Sequence, residues 1–120
     1  MRVITGIYKG RHFEVPRTFK ARPTTGFAKE NIFNVLNGYM DLEDASALDL
    51  FAGTGSITLE MLSRGCADVT SVEMDRDHAS FIRQCLQKLG DEDCSLIRGD
   101  VFRFLKSCKR KYDLIFADPP

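Results

Sequence analysis

Residues 47–55 read ALDLFAGTG, a short apolar strand pattern that runs directly into a loop with two glycines. A helix pattern follows over 56–64, and Glu73 ends the next strand pattern, VTSVE. Glycine lets the backbone turn tightly and lets a ligand lie against it, because no Cβ stands in the way. A carboxylate at the next strand end can accept hydrogen bonds from both ribose hydroxyls of an adenosine compound. The segment therefore predicts a strand, loop and helix that hold an adenosine-containing cofactor.

The chain continues this alternation of strands and helices. Because such alternation requires crossover connections, we expect an α/β fold, a Rossmann-like three-layer sandwich with a mostly parallel sheet. The last strand runs straight into Asp118-Pro119-Pro120, so we expect a truncated chain with further strands missing. The periodicity predicts strands at 47–51, 69–73, 94–99 and 112–118, and helices at about 56–64, 77–89 and 101–108.

The first 38 residues have a different pattern. RVITGIY at 2–8 and HFEV at 12–15, separated by Lys9-Gly10-Arg11, predict a small β-hairpin. Thr24 or Thr25 is expected to cap a helix that Gly38 ends. We therefore divide the chain into an N-terminal hairpin and helix, 1–38, and a cofactor-binding domain, 39–120. The residues expected on the inner face of this first helix are Phe27, Ile32, Phe33, Val35 and Leu36.

Charge is distributed unevenly although the formal net charge is zero. Residues 1–38 carry seven basic and two acidic side chains, a net charge of +5, and the rest of the chain carries −5. This asymmetry favours an N-terminal part that faces a polyanion, and the alternative is a solvated basic surface.

Composition excludes several classes of protein. A hydrophobic content of 43% with 28% charged residues is typical of a globular domain, and no apolar run approaches the roughly 20 residues of a membrane helix. The N-terminus lacks the apolar core of a signal peptide, so we expect a cytoplasmic protein. Four cysteines at no metal-like spacing indicate reduced thiols and no metal site.

Asp49 distinguishes between two adenosine cofactors. A dinucleotide fingerprint needs a third small residue where Thr58 stands, and a carboxylate beside the loop would oppose a pyrophosphate. A cationic sulfonium with a free amino group suits Asp49, so S-adenosylmethionine is favoured over a dinucleotide. Met74 could pack on the adenine, or simply fill the core. Asp100 could receive the adenine amino group, or only cap the helix that begins at Val101.

Asp118-Pro119-Pro120 is the second informative segment. Prolines have no N–H, so the segment offers only carbonyls and a carboxylate, which are acceptors for an exocyclic amino group. Holding both amino hydrogens would direct the nitrogen lone pair at the cofactor methyl group. The alternative is a rigid turn.

DLFAGTG, VEMD, GDV and DPP, in this order, resemble class I methyltransferases, and DPP resembles the [DNS]PP[YF] motif of amino-group methyltransferases. With RVITGIYKGR, RPTT, IFNVL and DLFAGTGSITLEMLSRG, the whole chain resembles the RsmD family, which methylates guanine N2 in small-subunit ribosomal RNA. The aromatic residue that the motif has after its second proline lies beyond Pro120. The resemblance implies that Asp118, Pro119 and Pro120 present the target nitrogen, and that the cofactor site comprises Arg22, Pro23, Thr24, Asp49, Phe51, Gly53, Gly55, Glu73, Met74, Asp100 and Val101.

The hypothesis is direct methyl transfer to an exocyclic nitrogen of RNA, without a metal, by a monomer that acts on ribosomal RNA or on the small subunit. An uncovered fourth strand could instead pair with a neighbouring chain. Three alternatives remain: a DNA adenine or cytosine amino-methyltransferase, a nicotinamide oxidoreductase, and a fragment that only binds cofactor or RNA. The side chains expected to contact phosphates are Arg2, Lys9, Arg11 and Lys20.

Overall fold

Four parallel strands form one sheet in the computed structural model, which describes residues 1–20 and 22–120. The strand order is β3-β2-β1-β4, so the predicted parallel α/β fold is confirmed. Each predicted strand and helix from residue 47 onward is present, with ends shifted by up to two residues. The elements are α1 (Gly26–Asn37), β1 (Ser46–Leu50), α2 (Ser56–Ser63), β2 (Asp68–Glu73), α3 (Arg76–Leu89), β3 (Cys94–Arg98), α4 (Val101–Ser107) and β4 (Leu114–Ala117).

The helices cover both faces of the sheet, because the direction of the crossovers reverses after β3. From β1 to β3 the chain moves outward to one edge, and α2 and α3 pack with Ala47 and Val69 on one face. It then returns to the far side of β1, and α4 packs with Leu48 and Val72 on the other face. Ligands of open α/β sheets bind beyond the carboxyl ends of the strands at such a reversal, which here lies between β1 and β4.

Helix α2 is completely enclosed, since each of its eight residues is buried. Helix α1 and the N-terminal segment lie over it, and Val3, Phe13 and Phe33 join the same apolar core. Covering one helix with another layer explains how polar residues of α2 come to lie inside the protein. The division at residue 38 stays a prediction, although the two parts share this core.

The predicted N-terminal hairpin is present but shorter than expected: Arg2 forms an antiparallel bridge with His12, and backbone hydrogen bonds join Val3 to Arg11 and Phe13 to Met1. The predicted extents of its strands, 2–8 and 12–15, are wrong, because the chain turns over residues 5–10. Glu60 accepts the backbone N–H groups of Ile4 and Thr5, at 2.9 and 3.1 Å. These N–H groups are therefore not available for hydrogen bonds to a second strand. Gly6 has φ 97°, and a Cβ there would lie 1.8 Å from the carbonyl oxygen of Ser63. The segment thus packs on α2 as a loop.

Two helices expose some of the residues expected on their inner faces, although Ile32, Phe33 and Leu36 of α1 pack in the core as predicted. Thr25 caps α1 as predicted, but Phe27 and Val35 are exposed, and Lys29 is buried beside Phe33. In α4 the apolar spacing predicts Phe102, Leu105 and Phe104 on the inner face; Phe102 and Leu105 are exposed, whereas Val101 is buried and Phe104 packs beside it. Both errors arise because a helix places its face according to its neighbours, and apolar spacing alone left more than one face possible.

Within residues 1–20 and 22–120, no helix is long and apolar enough to cross a membrane.

Candidate functional site

A cavity of about 700 Å³ lies at the carboxyl ends of the strands, where the crossover direction reverses. This volume falls in the range of small-molecule sites. Most of the residues predicted for the cofactor and the reaction line it, although they come from five separate segments of the chain. These are Arg22, Thr24, Asp49, Phe51, Gly53, Glu73, Met74, Asp100, Val101, Asp118, Pro119 and Pro120.

The loop after β1 adopts a conformation that needs its glycines. Gly53 and Gly55 have φ of 60° and 84°, and Phe51 shares this left-handed region at 57°. A Cβ on Gly55 would lie 2.9 Å from Cγ1 of the buried Ile82 in α3. Gly55 is not among the lining residues, so its role here is close packing between helices. A Cβ on Gly53 would meet only the Phe51 carbonyl oxygen, at 4.0 Å, and would project into open space.

Glu73 is joined directly to the glycine loop. Its Oε1 accepts the backbone N–H of Gly53 at 2.7 Å, and its Oε2 accepts the N–H of Asp75 at 2.9 Å. Nδ1 of His78 lies 3.7 Å from Oε2. Two of the four lone-pair positions of a carboxylate remain after these hydrogen bonds, so Glu73 is fixed in position and can still accept from a ligand.

Asp49 lies on β1 with 1% of its surface exposed. Its Oδ2 accepts the hydroxyl of Thr58 at 2.6 Å. Burial raises the pKa of Asp49 to about 7, the charges of Glu73 and Asp118 add to the rise, and the Thr58 hydrogen bonds oppose it. Near neutral pH this carboxyl is therefore present in both protonation states. Its expected pairing with an amino group stays a prediction.

Asp100 caps α4, because its Oδ1 accepts the N–H of Phe102 at 2.7 Å. The prediction that Asp100 caps the helix beginning at Val101 is therefore confirmed. The second oxygen of Asp100 is free of this contact, and the residue also lines the cavity. Met74 and Phe102 are 66% and 67% exposed and border the cavity from different strand ends. The Phe102 ring meets that of Phe51 edge to face, with 6.3 Å between centroids. These apolar groups could enclose a flat heterocycle.

The segment before α1 also reaches the cavity. Lys20, Arg22 and Thr24 line it, whereas Pro23 is not among the lining residues. Phe19 anchors this segment on α3, with its ring centroid 4.7 Å from that of His78. A basic segment therefore borders the site as well as contributing to the net charge of the N-terminal part.

The four predicted phosphate contacts do not form one patch. All four side chains are exposed, but only Lys20 lines the cavity. Arg11 donates to the carbonyl of Lys88 at 3.2 Å, near the end of α3, while the start of α3 borders the cavity. At 1.5 Å per residue those two ends of α3 are about 18 Å apart. Arg11 therefore lies near the far end of α3, away from the cavity.

Several lining residues were not predicted from the sequence. Thr54, Ser56 and Ile57 follow directly on the glycines, and their position beside the loop was the available signal. His78 gave no such signal, because nothing in its helix pattern distinguishes it from a solvated residue.

The cysteines take no part in the site. All four are free thiols, and burial raises the pKa of Cys66, Cys85 and Cys94 to about 11, so these thiols stay protonated and unreactive. No group of three or more possible metal ligands occurs within the part of the chain that the structure describes.

The donor set fits an adenosine cofactor with an amino-acid end. The open space over Gly53 admits a ligand close to the backbone, beside the carboxylate of Glu73. Five carboxylates border the cavity and only two basic side chains do, a balance that favours a cationic ligand over a pyrophosphate.

Comparison with known proteins agrees with this geometry. The family model described as Conserved hypothetical protein 95 matches residues 1–120. The chain belongs to this family. Ribosomal RNA small subunit methyltransferase D of Escherichia coli, which the whole chain matches at 35% identity over 60% of that protein, bears out the resemblance to the RsmD family.

Solved structures of other proteins share the fold of this member of the family. The Escherichia coli structure titled "Putative methyltransferase yhhF" superposes with a TM-score of 0.85 at 33% identity, covering 100% of this chain and 64% of that one. The Trypanosoma brucei PRMT1 complex with AdoHcy superposes with a TM-score of 0.54 at 27% identity, and the match covers 61% of this chain and 22% of the PRMT1 chain. The chain spans about three fifths of the length of the curated relatives it matches.

Proposed function

We propose that this chain is the cofactor-binding part of a methyltransferase that uses S-adenosylmethionine and modifies ribosomal RNA. Its target would be the exocyclic N2 amino group of a guanine in the small subunit. The observation that carries the proposal is that Asp118, Pro119 and Pro120 border the same cavity as Gly53 and Glu73. Membership of a family whose relatives are named ribosomal RNA methyltransferases supports it. Action in the cytoplasm and as a monomer belongs to the same proposal.

When bound, S-adenosylmethionine supplies an electrophilic methyl group on a cationic sulfur. Glu73 would accept the ribose hydroxyls, since its contacts with Gly53 and Asp75 hold the carboxylate in position. Met74 and Phe102 would flank the adenine. Fixing these groups before the ligand arrives lowers the entropy cost of binding.

The second half of the site would orient the methyl acceptor. The Asp118 carboxylate and the carbonyls around the two prolines are exposed acceptors beside the cavity. An amino group that donates both hydrogens to them has its lone pair directed away from those acceptors. Orientation of this kind contributes to catalysis because it replaces a chance encounter by a fixed geometry. The basic residues Lys20 and Arg22 at the rim would attract the phosphates of RNA.

The test is transfer of a radiolabelled methyl group from S-adenosylmethionine to unmodified small-subunit RNA. We expect label in N2-methylguanosine after nuclease digestion, and no label in duplex DNA offered in competition. Label in DNA would contradict RNA as the substrate, and label in another nucleoside would contradict guanine N2 as the target. No label in any nucleic acid would contradict the methyltransferase activity itself.

Substitution of Asp118 tests the assignment of the acceptor site. We expect Asp118→Ala to lower transfer by about a hundredfold, because the acceptor loses its orientation. Binding of S-adenosylhomocysteine, measured by calorimetry, should change less than threefold. Glu92→Ala, an exposed carboxylate outside the cavity, is the matched control and should leave both quantities unchanged. Equal transfer by the Asp118 and Glu92 variants would refute the assignment.

A further inference from the structure

Lys29 is a buried cation directly behind the cavity wall. The side chain on α1 is 2% exposed, and its Nζ donates to Oγ of Ser56 at 3.1 Å and to the backbone carbonyl of Arg2 at 2.7 Å. Oε1 of Glu60 lies 3.3 Å away. Three partners for three N–H donors leave the ammonium fully satisfied. Of these partners, Ser56 is the one that lines the cavity.

Stability alone gives a weak reason for this arrangement. Moving an ammonium out of water is costly, and apolar replacements of buried ion pairs are often neutral or stabilising. Burial lowers the pKa of Lys29, while the nearby Glu60 raises it. Glu60 does not depend on Lys29, since it also pairs with Nε of Arg64 at 2.9 Å and accepts two backbone N–H groups. The buried group of Lys29, Glu60 and Arg64 therefore carries a formal charge of +1.

The rim and the wall of the cavity differ in charge. Its bordering carboxylates outnumber its basic side chains, and both basic residues, Lys20 and Arg22, are exposed and belong to the rim. With the ribose at Glu73, as proposed above, the opposite end of the cofactor would face the start of α2, where Thr54 and Ser56 line the cavity. The first N–H groups of a helix favour an anion, and a buried cation behind them strengthens that preference; in α2 the N–H of Thr58 already binds Asp49, which leaves those before it.

We propose that Lys29 is a positioning residue that, through Ser56, adapts the cavity to the carboxylate at the amino-acid end of the cofactor. This inference rests on the proposed cofactor. Lys29 does not touch the ligand; it orients the Ser56 hydroxyl and contributes charge from behind. Loss of Lys29 should therefore weaken ligands with an amino-acid end and spare those without one.

Two ligands separate this role from general support of the fold. S-adenosylhomocysteine and 5′-methylthioadenosine share the adenosine and the sulfur, but only the first has an amino acid. We expect Lys29→Met to weaken S-adenosylhomocysteine about tenfold or more in calorimetry, the loss typical of a hydrogen bond to a charged group. Its affinity for methylthioadenosine should stay within about twofold.

Arg64→Met is the matched control, because Arg64 also pairs with Glu60 but does not line the cavity. It should change neither affinity beyond about twofold. If Lys29→Met unfolds, Ser56→Ala removes the same contact without altering a buried charge, and the same selective loss is expected.

Three outcomes would overturn the inference. Equal weakening of both ligands by Lys29→Met or by Ser56→Ala would show a structural role only, and no weakening of either would show no role. A matching selective loss in Arg64→Met would assign the effect to the ion cluster as a whole. Failure of the unaltered protein to bind S-adenosylhomocysteine would instead refute the proposed function, on which the inference depends.

Discussion

Replacing Gly55 and Gly53 by alanine, one at a time, separates the two demands that the loop after β1 satisfies. Both residues have positive φ, so each substitution carries the cost of a left-handed backbone for an L residue, about 1–2 kcal/mol. They differ in what a methyl group would meet. At Gly55 it meets Ile82 at 2.9 Å, inside the core, and at Gly53 it meets open space.

The free energies of unfolding should differ accordingly. Overpacking a core costs about 1–3 kcal/mol, so Gly55→Ala should lose about 2–5 kcal/mol in total. Gly53→Ala should lose only the backbone part. Gly90→Ala measures that part alone, because Gly90 has φ 68° and nothing within 4 Å of its added Cβ. Denaturation by guanidinium chloride gives all three values from their midpoints and slopes.

In ligand binding we expect Gly53→Ala, the less destabilised of the two loop variants, to show the clear loss of affinity. A methyl group on Gly53 projects into the space over the loop, so we expect a loss of tenfold or more in affinity for S-adenosylhomocysteine. Gly90→Ala should bind as the unaltered protein does. The reasoning is refuted if Gly55→Ala is no less stable than Gly90→Ala, or if Gly53→Ala keeps its affinity.

Two further predictions concern charge. The pKa of Asp49 is raised from 3.8 to about 7, so the native state retains a proton that the unfolded chain has lost between those pH values. Stability should therefore fall by up to about 4 kcal/mol as pH rises from 4 to 7. In urea denaturation, the stability of Asp49→Asn relative to the unaltered protein should be about 3 kcal/mol greater at pH 8 than at pH 5. A constant difference would contradict the burial argument. Replacing Lys20 and Arg22 together by alanine should weaken RNA binding in filter assays at 0.1 M salt more than replacing Lys9 and Arg11, which do not line the cavity. Equal losses would refute this assignment of the RNA-facing surface.

Much of the fold was predictable because its signals are local. The alternation of apolar strands, glycine loops and helices is legible over windows of ten to fifteen residues, and parallel connections then restrict the topology. The contact between Gly53 and Glu73 follows from this, since neighbouring parallel strands bring their carboxyl ends together. The sequence alone therefore predicted that the site lies at the carboxyl ends of the strands.

The errors lie where contacts are distant in sequence. Ile4 and Thr5 read as a strand by their alternation, yet their N–H groups bind Glu60, more than fifty residues away. The spacing predicts Phe27 on the inner face of α1, yet Phe27 is exposed, and Lys29, which the spacing does not place inside, is buried. Ile4, Thr5 and Lys29 all bind buried polar groups on α2, which apolar periodicity does not register.

By itself, the sequence determined the sheet, the glycine loop and the set of carboxylates at the strand ends, because spacing and backbone conformational preferences are properties of short segments. Only the tertiary structure decided which face of α1 is buried, that Lys29 lies behind Ser56, and which basic residues border the cavity. Those features depend on desolvation and pairing of charges across separate elements, and the energy of a buried charge is set by the partners that the fold brings to it.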